Sequence, residues 1–173
     1  MTIAKILLIV ALFVQEHPNV AGQWTLAPET PTGNRGPARG DMGSGWGSPI
    51  TVTQDANKLT VEYAFFGRGD MQPPLKFVFA LDGSESKNTV MMGNGIQSQV
   101  SKSRWEGNKL VITTTYPFRN PENGQPMTSE VRQTLSLENN SLVVETTRSG
   151  VLGGAPSTTR NTYNKTPPRP QGL

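Results

Sequence analysis

Ten side chains in this sequence are candidates to hold a small molecule: Tyr63, Phe65, Phe77, Phe79, Gln99, Ser101, Trp105, Tyr116, Gln133 and Arg148. Together they have the chemistry of a pocket. Aromatic rings cover an apolar body, a few amides and hydroxyls fix its orientation, and a guanidinium is the natural partner of a carboxylate. The types needed for a reaction centre are missing. There is no cysteine, and the single histidine, His17, lies beside the N-terminal apolar run. Thiolate metal sites, histidine-built zinc sites and a serine–histidine triad in the body of the chain are therefore excluded. Three carboxylates in the strand-forming part, Glu62, Glu130 and Glu145, are expected to face outward, which leaves no inward pair for general acid–base work. No Walker-type spacing cradles a phosphate. The expectation is no catalytic residue, no metal and no cofactor.

These side chains converge only if the chain folds back and forth on itself, and three hairpins of one type indicate that it does. The stretch Trp105-Glu106-Gly107-Asn108-Lys109-Leu110 turns at Gly107-Asn108 and continues into a β-branched run. The same pattern recurs around Ala56-Asn57 and around Asn139-Asn140, and Asp82-Gly83 and Gly93-Asn94-Gly95 add two further turn signals. Strands are predicted at 22–26, 49–54, 58–66, 75–81, 87–92, 96–105, 109–116, 126–137, 141–148 and 156–164. Short strands at regular spacing favour an all-β sandwich or barrel over a parallel sheet. The fold expected is all-β, an antiparallel up-and-down meander closing into a barrel of about eight to ten strands.

Turn geometry fixes register, and register fixes faces. A two-residue turn at Gly107-Asn108 pairs Glu106 with Lys109 and Trp105 with Leu110. One face then collects Gln99, Ser101, Ser103, Trp105, Leu110, Ile112, Thr114 and Tyr116; the other, with Val100, Lys102, Arg104, Val111, Thr113 and Thr115, belongs in water. The turn at Asn139-Asn140 gathers Val131, Gln133, Leu135, Leu137, Leu142, Val144, Thr146 and Arg148, and sets Arg132 diagonal to Glu145 on the outside. The inner surface therefore has an aliphatic and aromatic end, and a polar end with Gln99, Ser101, Ser103, Thr114, Tyr116, Gln133, Thr146 and Arg148. An unpartnered buried polar group costs about 1–3 kcal/mol, so a solid core would not select these residues.

The remaining chain adds boundaries. Ile3 to Val14 is apolar apart from Lys5. About twelve residues is short of the ~20 that span a bilayer, so no stable membrane span is expected. The run fits the apolar region of a secretory signal, with residues 1–20 removed, 21–165 forming the barrel, 166–173 a Pro-rich tail, and the product secreted or periplasmic. Residues Ala27 to Ser48 form a long Gly- and Pro-rich loop in which Trp46 suits a lid that docks one ring. Net charge is +3, with sixteen basic and thirteen acidic residues intermingled. A nucleic-acid footprint clusters its charge, so no nucleic-acid partner is expected.

Gly22-Gln23-Trp24 on the first strand, followed by this meander and by the hairpins at Leu81-Asp82-Gly83-Ser84-Glu85 and Trp105 to Leu110, resembles the lipocalin and fatty-acid-binding (calycin) superfamily. In particular it looks like the exported bacterial lipocalin-like domains, over roughly residues 21–165. The resemblance implies a barrel that carries a small molecule. It also implies a late-strand arginine, Arg160 or Arg148, packed over Trp24. The expected function is an exported barrel holding a small apolar or amphipathic molecule, with an acidic end to face Arg148. Two other readings stay open: a metal-independent cyclase or isomerase using the same cavity, and a solid barrel acting as an envelope interaction module.

Overall fold

The computed structural model describes residues 17–28, 46–63, 75–92, 95–150 and 154–167, with the backbone alone at 90–92 and 95–97. These residues form ten strands: β1 Gly22–Leu26, β2 Ile50–Gln54, β3 Lys58–Tyr63, β4 Leu75–Ala80, β5 Glu85–Met92, β6 Gly95–Glu106, β7 Lys109–Arg119, β8 Pro126–Glu138, β9 Ser141–Arg148 and β10 Ser157–Lys165. All pair antiparallel in one sheet of order β4-β3-β2-β1-β10-β9-β8-β7-β6-β5. Because β1 pairs with β10, the meander wraps round into a nearly closed barrel. There is no helix among the described residues.

The turns set the register as the hairpin pattern requires. Asn139 and Asn140 both take positive φ, 50° and 65°, as a type I′ turn demands. Gly107, with φ of 60°, occupies the first central position, where a type II′ turn needs glycine. The resulting pairs include Trp105 with Leu110, Glu106 with Lys109, and Leu137 with Leu142. Ser101 and Gln133 are buried and Tyr116 is half-buried, while Lys102 and Arg132 face water. The inward and outward sets thus follow the turns, except that Leu137, expected inside, is 38 % exposed.

The barrel is not closed by backbone everywhere. No ladder joins β4 to β5; side chains do the joining. Asn88 accepts the Val78 N–H through Oδ1 at 2.8 Å and donates through Nδ2 to the Val78 carbonyl at 3.0 Å. Ser86 Oγ accepts the Ala80 N–H at 2.7 Å. The Asn88 amide thereby substitutes for one residue of a missing strand ladder, offering one donor and one acceptor to β4.

The two ends of the barrel differ. Tight turns join β2 to β3, β6 to β7 and β8 to β9 at one end, and a four-residue bend joins β4 to β5 there. Residues 17–20 are secured at this end too. Gln54 accepts the Val20 N–H at 2.9 Å and donates to the Pro18 carbonyl at 3.1 Å, and Trp24 Nε1 donates to the Val20 carbonyl at 3.0 Å. The His17 ring lies parallel to Trp105 with centroids 4.5 Å apart. Pro18 and Val20 are thus tied to β2 and β1. Residues 1–16 and 168–173 lie outside the described residues. The opposite end bears the remaining connections.

Two expected contacts are realised differently. The cation over Trp24 is Lys165, its register partner, at 5.6 Å from the ring centroid, and not Arg160 or Arg148. Gly22 faces the same lysine: a Cβ there would stand 2.9 Å from Lys165 Cε, and its φ of 149° is one that side chains rarely adopt. Arg160 points outward and binds Glu145 at 2.6 Å and Glu138 at 2.7 Å. With Glu145 so engaged, Arg132 does not pair with it and instead reaches Glu106 at 3.0 Å, a carboxylate already held by Arg104. These exposed pairs contribute little individually.

Candidate functional site

The lumen is divided by wall as well as by end. Strands β1 to β4 line it with Trp24, Ile50, Val52, Leu59, Val61, Tyr63, Phe77 and Phe79, all in one apolar cluster. Next to this wall, beyond the β4–β5 seam, β5 and β6 present Ser86, Asn88, Gln99, Ser101 and Ser103, every one buried. Strands β7 to β9 grade between the two. Nearest the tight turns, Leu110, Leu135 and Val144 form an apolar rung with Trp105. The next rung runs Ser103, Ile112, Gln133, Thr146, and the one beyond it Ser101, Thr114, Val131, Arg148.

The hydrogen bonding of the polar wall is incomplete. Ser101 Oγ and Thr114 Oγ1 bond each other at 2.8 Å. Gln99 Nε2, Ser103 Oγ and Thr146 Oγ1 are buried without a partner, although their residues are only 2, 1 and 1 % exposed. Such groups are rare in folded proteins and each carries a desolvation cost of about 1–3 kcal/mol. No Asp, Glu, Lys, Arg or His is buried among the described residues. The polar wall is thus uncharged, with Arg148 half-buried at its edge.

Aromatic rings run along the apolar wall. Phe79 stacks on Phe77 at 6.2 Å, Phe77 meets Tyr63 edge-on at 5.4 Å, and Tyr63 meets Trp46 edge-on at 5.6 Å. Trp46 also contacts Tyr163 at 6.3 Å, and the Gly47 N–H donates to Tyr163 Oη at 2.6 Å. The ring expected to dock from the long loop is therefore fully packed, at 1 % exposure.

Burial pushes the Tyr163 phenol up to about 12 from its usual 10.0, against a smaller opposing effect of the Gly47 hydrogen bond. The protonated form is the one the fold favours. Its contribution is complete below about pH 10 and is lost as pH rises towards about 12. In alkaline thermal melts across that window, the wild-type protein is expected to lose stability more steeply than Tyr163→Phe. Parallel curves for the two proteins would show that Tyr163 ionises freely in the fold.

Beyond Thr115, β7 pairs with β8 alone, so Tyr116 to Arg119 and Pro126 to Ser129 form a two-stranded ribbon past the polar end. Tyr116, Phe118 and Met127 on it are half-buried. Outside the barrel, a groove of about 560 Å³ crosses β6 to β8, with Val100 and Val111 at its base and Lys102, Arg104, Arg132, Glu85 and Glu130 around it. Val111, one of the groove residues, was expected in water, yet it is only 2 % exposed.

The structure brings Tyr63, Phe77, Phe79, Gln99, Ser101 and Gln133 into the lumen as buried residues. Trp105, Tyr116 and Arg148 are half-buried at its ends, and Phe65 lies outside the described residues. Sequence reasoning missed Ser86 and Asn88. Starting the fifth strand at residue 87 left out the alternation of Ser86 and Asn88 with Lys87 and Thr89, which would have turned both inward. Among the described residues no group of three or more His, Asp or Glu converges as a metal site. Compared with models of known protein families and with curated proteins, the chain matches none.

Proposed function

We propose that this protein is an exported, lipocalin-like barrel that holds a small, mostly apolar molecule in its lumen. The observation that supports the reading most strongly is the set of three lumen-facing polar atoms buried without partners, on Gln99, Ser103 and Thr146. Those atoms share the barrel interior with a wall of aromatic and aliphatic side chains. Apolar surface with a few convergent polar groups is what a carrier site requires, and a guest supplies the partners the fold leaves out. Arg148, at the edge of the polar wall, is the residue an acidic end would meet. The apolar run from Ile3 to Val14 behind Lys5 supports export. The cyclase or isomerase alternative finds no buried carboxylate among the described residues to act as acid or base.

The test is native mass spectrometry of the full chain purified without denaturation. A reproducible mass above that of the chain, released on unfolding, is the expected result. Apo protein in every preparation, together with a higher Tm for Thr146→Val and Ser103→Ala, would mean a solid core. That outcome favours a second reading, an interaction module, for which the outer groove with Lys102, Arg104 and Arg132 is the candidate binding face.

A further inference from the structure

We infer that the guest is a facial amphiphile, a rigid molecule with one apolar side and several neutral hydroxyl or carbonyl groups on the other. The inference rests on the lumen-binding reading above and names the class of ligand. A molecule that is polar only at one end, such as a fatty acid, would match a lumen whose polarity changes from one end to the other. This lumen changes mainly from side to side. The β1 to β4 wall stays apolar from Leu59 and Phe79 near the tight turns to Tyr63 and Phe77 further along. Beyond the β4–β5 seam the wall is polar along β5 and β6, from Ser103 to Gln99, so an apolar and a polar sector lie side by side round the barrel.

The unpartnered atoms are spread out. Gln99 and Ser103 are four residues apart on one strand, about 13 Å at the usual rise. Ser103 and Thr146 lie on one rung three strands apart, about 14 Å along the wall at the usual strand spacing. A single carboxylate or hydroxyl cannot satisfy sites so far apart, whereas groups spaced along one side of a rigid skeleton can. The sites carry no charge, so each suits a neutral group: a charged one would be desolvated there without an opposite charge to offset the loss.

Cholic acid, cholanic acid and dodecanoic acid separate the possibilities, with affinities measured by calorimetry on the full chain. Cholic acid carries hydroxyls on one face of its ring system, cholanic acid has the same skeleton without them, and dodecanoic acid is polar at its end alone. Cholic acid is expected to bind at least about tenfold more tightly than either of the others. Ser103→Ala and Thr146→Val should each weaken cholic acid about three- to tenfold, the size of one hydrogen bond, and leave cholanic acid unchanged. Equal or tighter binding of cholanic or dodecanoic acid overturns the facial assignment and leaves the lumen reading standing. The same holds if none of the three binds while native mass spectrometry shows a co-purified molecule. No binding by any probe, with apo masses and both variants stabilised, overturns the two readings together.

Discussion

Asn88→Leu should be among the most damaging single changes in the barrel wall. The leucine keeps the branched shape, though it is bulkier, and removes both hydrogen bonds that tie Val78 across the β4–β5 gap. No backbone ladder lies beneath them, so the Val78 N–H and carbonyl are left facing a side chain that can satisfy neither. Leaving two backbone groups unpaired in a partly buried position is expected to cost about 2–4 kcal/mol, read as a lower urea midpoint at unchanged slope. Ser86→Ala, which removes the one bond to Ala80, should cost about 1 kcal/mol. Amide hydrogen exchange gives the local readout. Val78 should exchange far faster in Asn88→Leu, while Val61, within the β2–β3–β4 ladders, should keep its protection relative to global stability. If Val78 exchange tracks only the global change, the gap is held by something other than Asn88.

The gap also shows which parts of this structure were legible beforehand. Hairpins built on Asn-Gly-type turns have few allowed geometries, so one turn position decides the face of every residue in both strands. Thus Gln99, Ser101, Gln133 and Thr146 could be placed inside from the positions of Gly107 and Asn139. Contacts between strands distant in sequence carry no such local signal. Trp24 and Lys165 are joined by the closure of the barrel, and the choice of a lysine over Arg160 follows from the β1–β10 register. Likewise Arg132 and Arg160 divide Glu106, Glu138 and Glu145 between them according to rung positions. A diagonal rule applied to one hairpin could not foresee that. The site was legible as a set of inward polar residues. Its division into an apolar and a polar sector was not, because that depends on which strands adjoin once the sheet has wrapped round.

Trp46 is where the fold and the proposed function meet most closely. It arrives from the long β1–β2 connection, lies edge-on to Tyr63 and Tyr163, and is buried in the apolar cluster. The neighbouring Gly47 N–H is bound to Tyr163, so ring and backbone are anchored together. Truncating a packed aromatic to alanine generally costs about 3–5 kcal/mol, and Trp46→Ala should fall in that range by urea unfolding. The space vacated is apolar and bounded by rings, so it should stay dry and accept a guest of matching shape. Added indole is therefore expected to raise the Tm of Trp46→Ala with indole concentration, as for any ligand that binds only the folded state, and to leave the wild type unchanged. A loss below about 1 kcal/mol, without rescue by indole, would mean that Trp46 does not hold its place against the barrel. If rescue is seen, the same variant bears on access to the lumen. The Trp46 ring continues the aromatic series from Phe79 through Tyr63, so removing it shortens the apolar wall from the loop side. A guest that passes Trp46 to reach the lumen should then associate faster with the variant, whereas one that enters elsewhere should show an unchanged association rate.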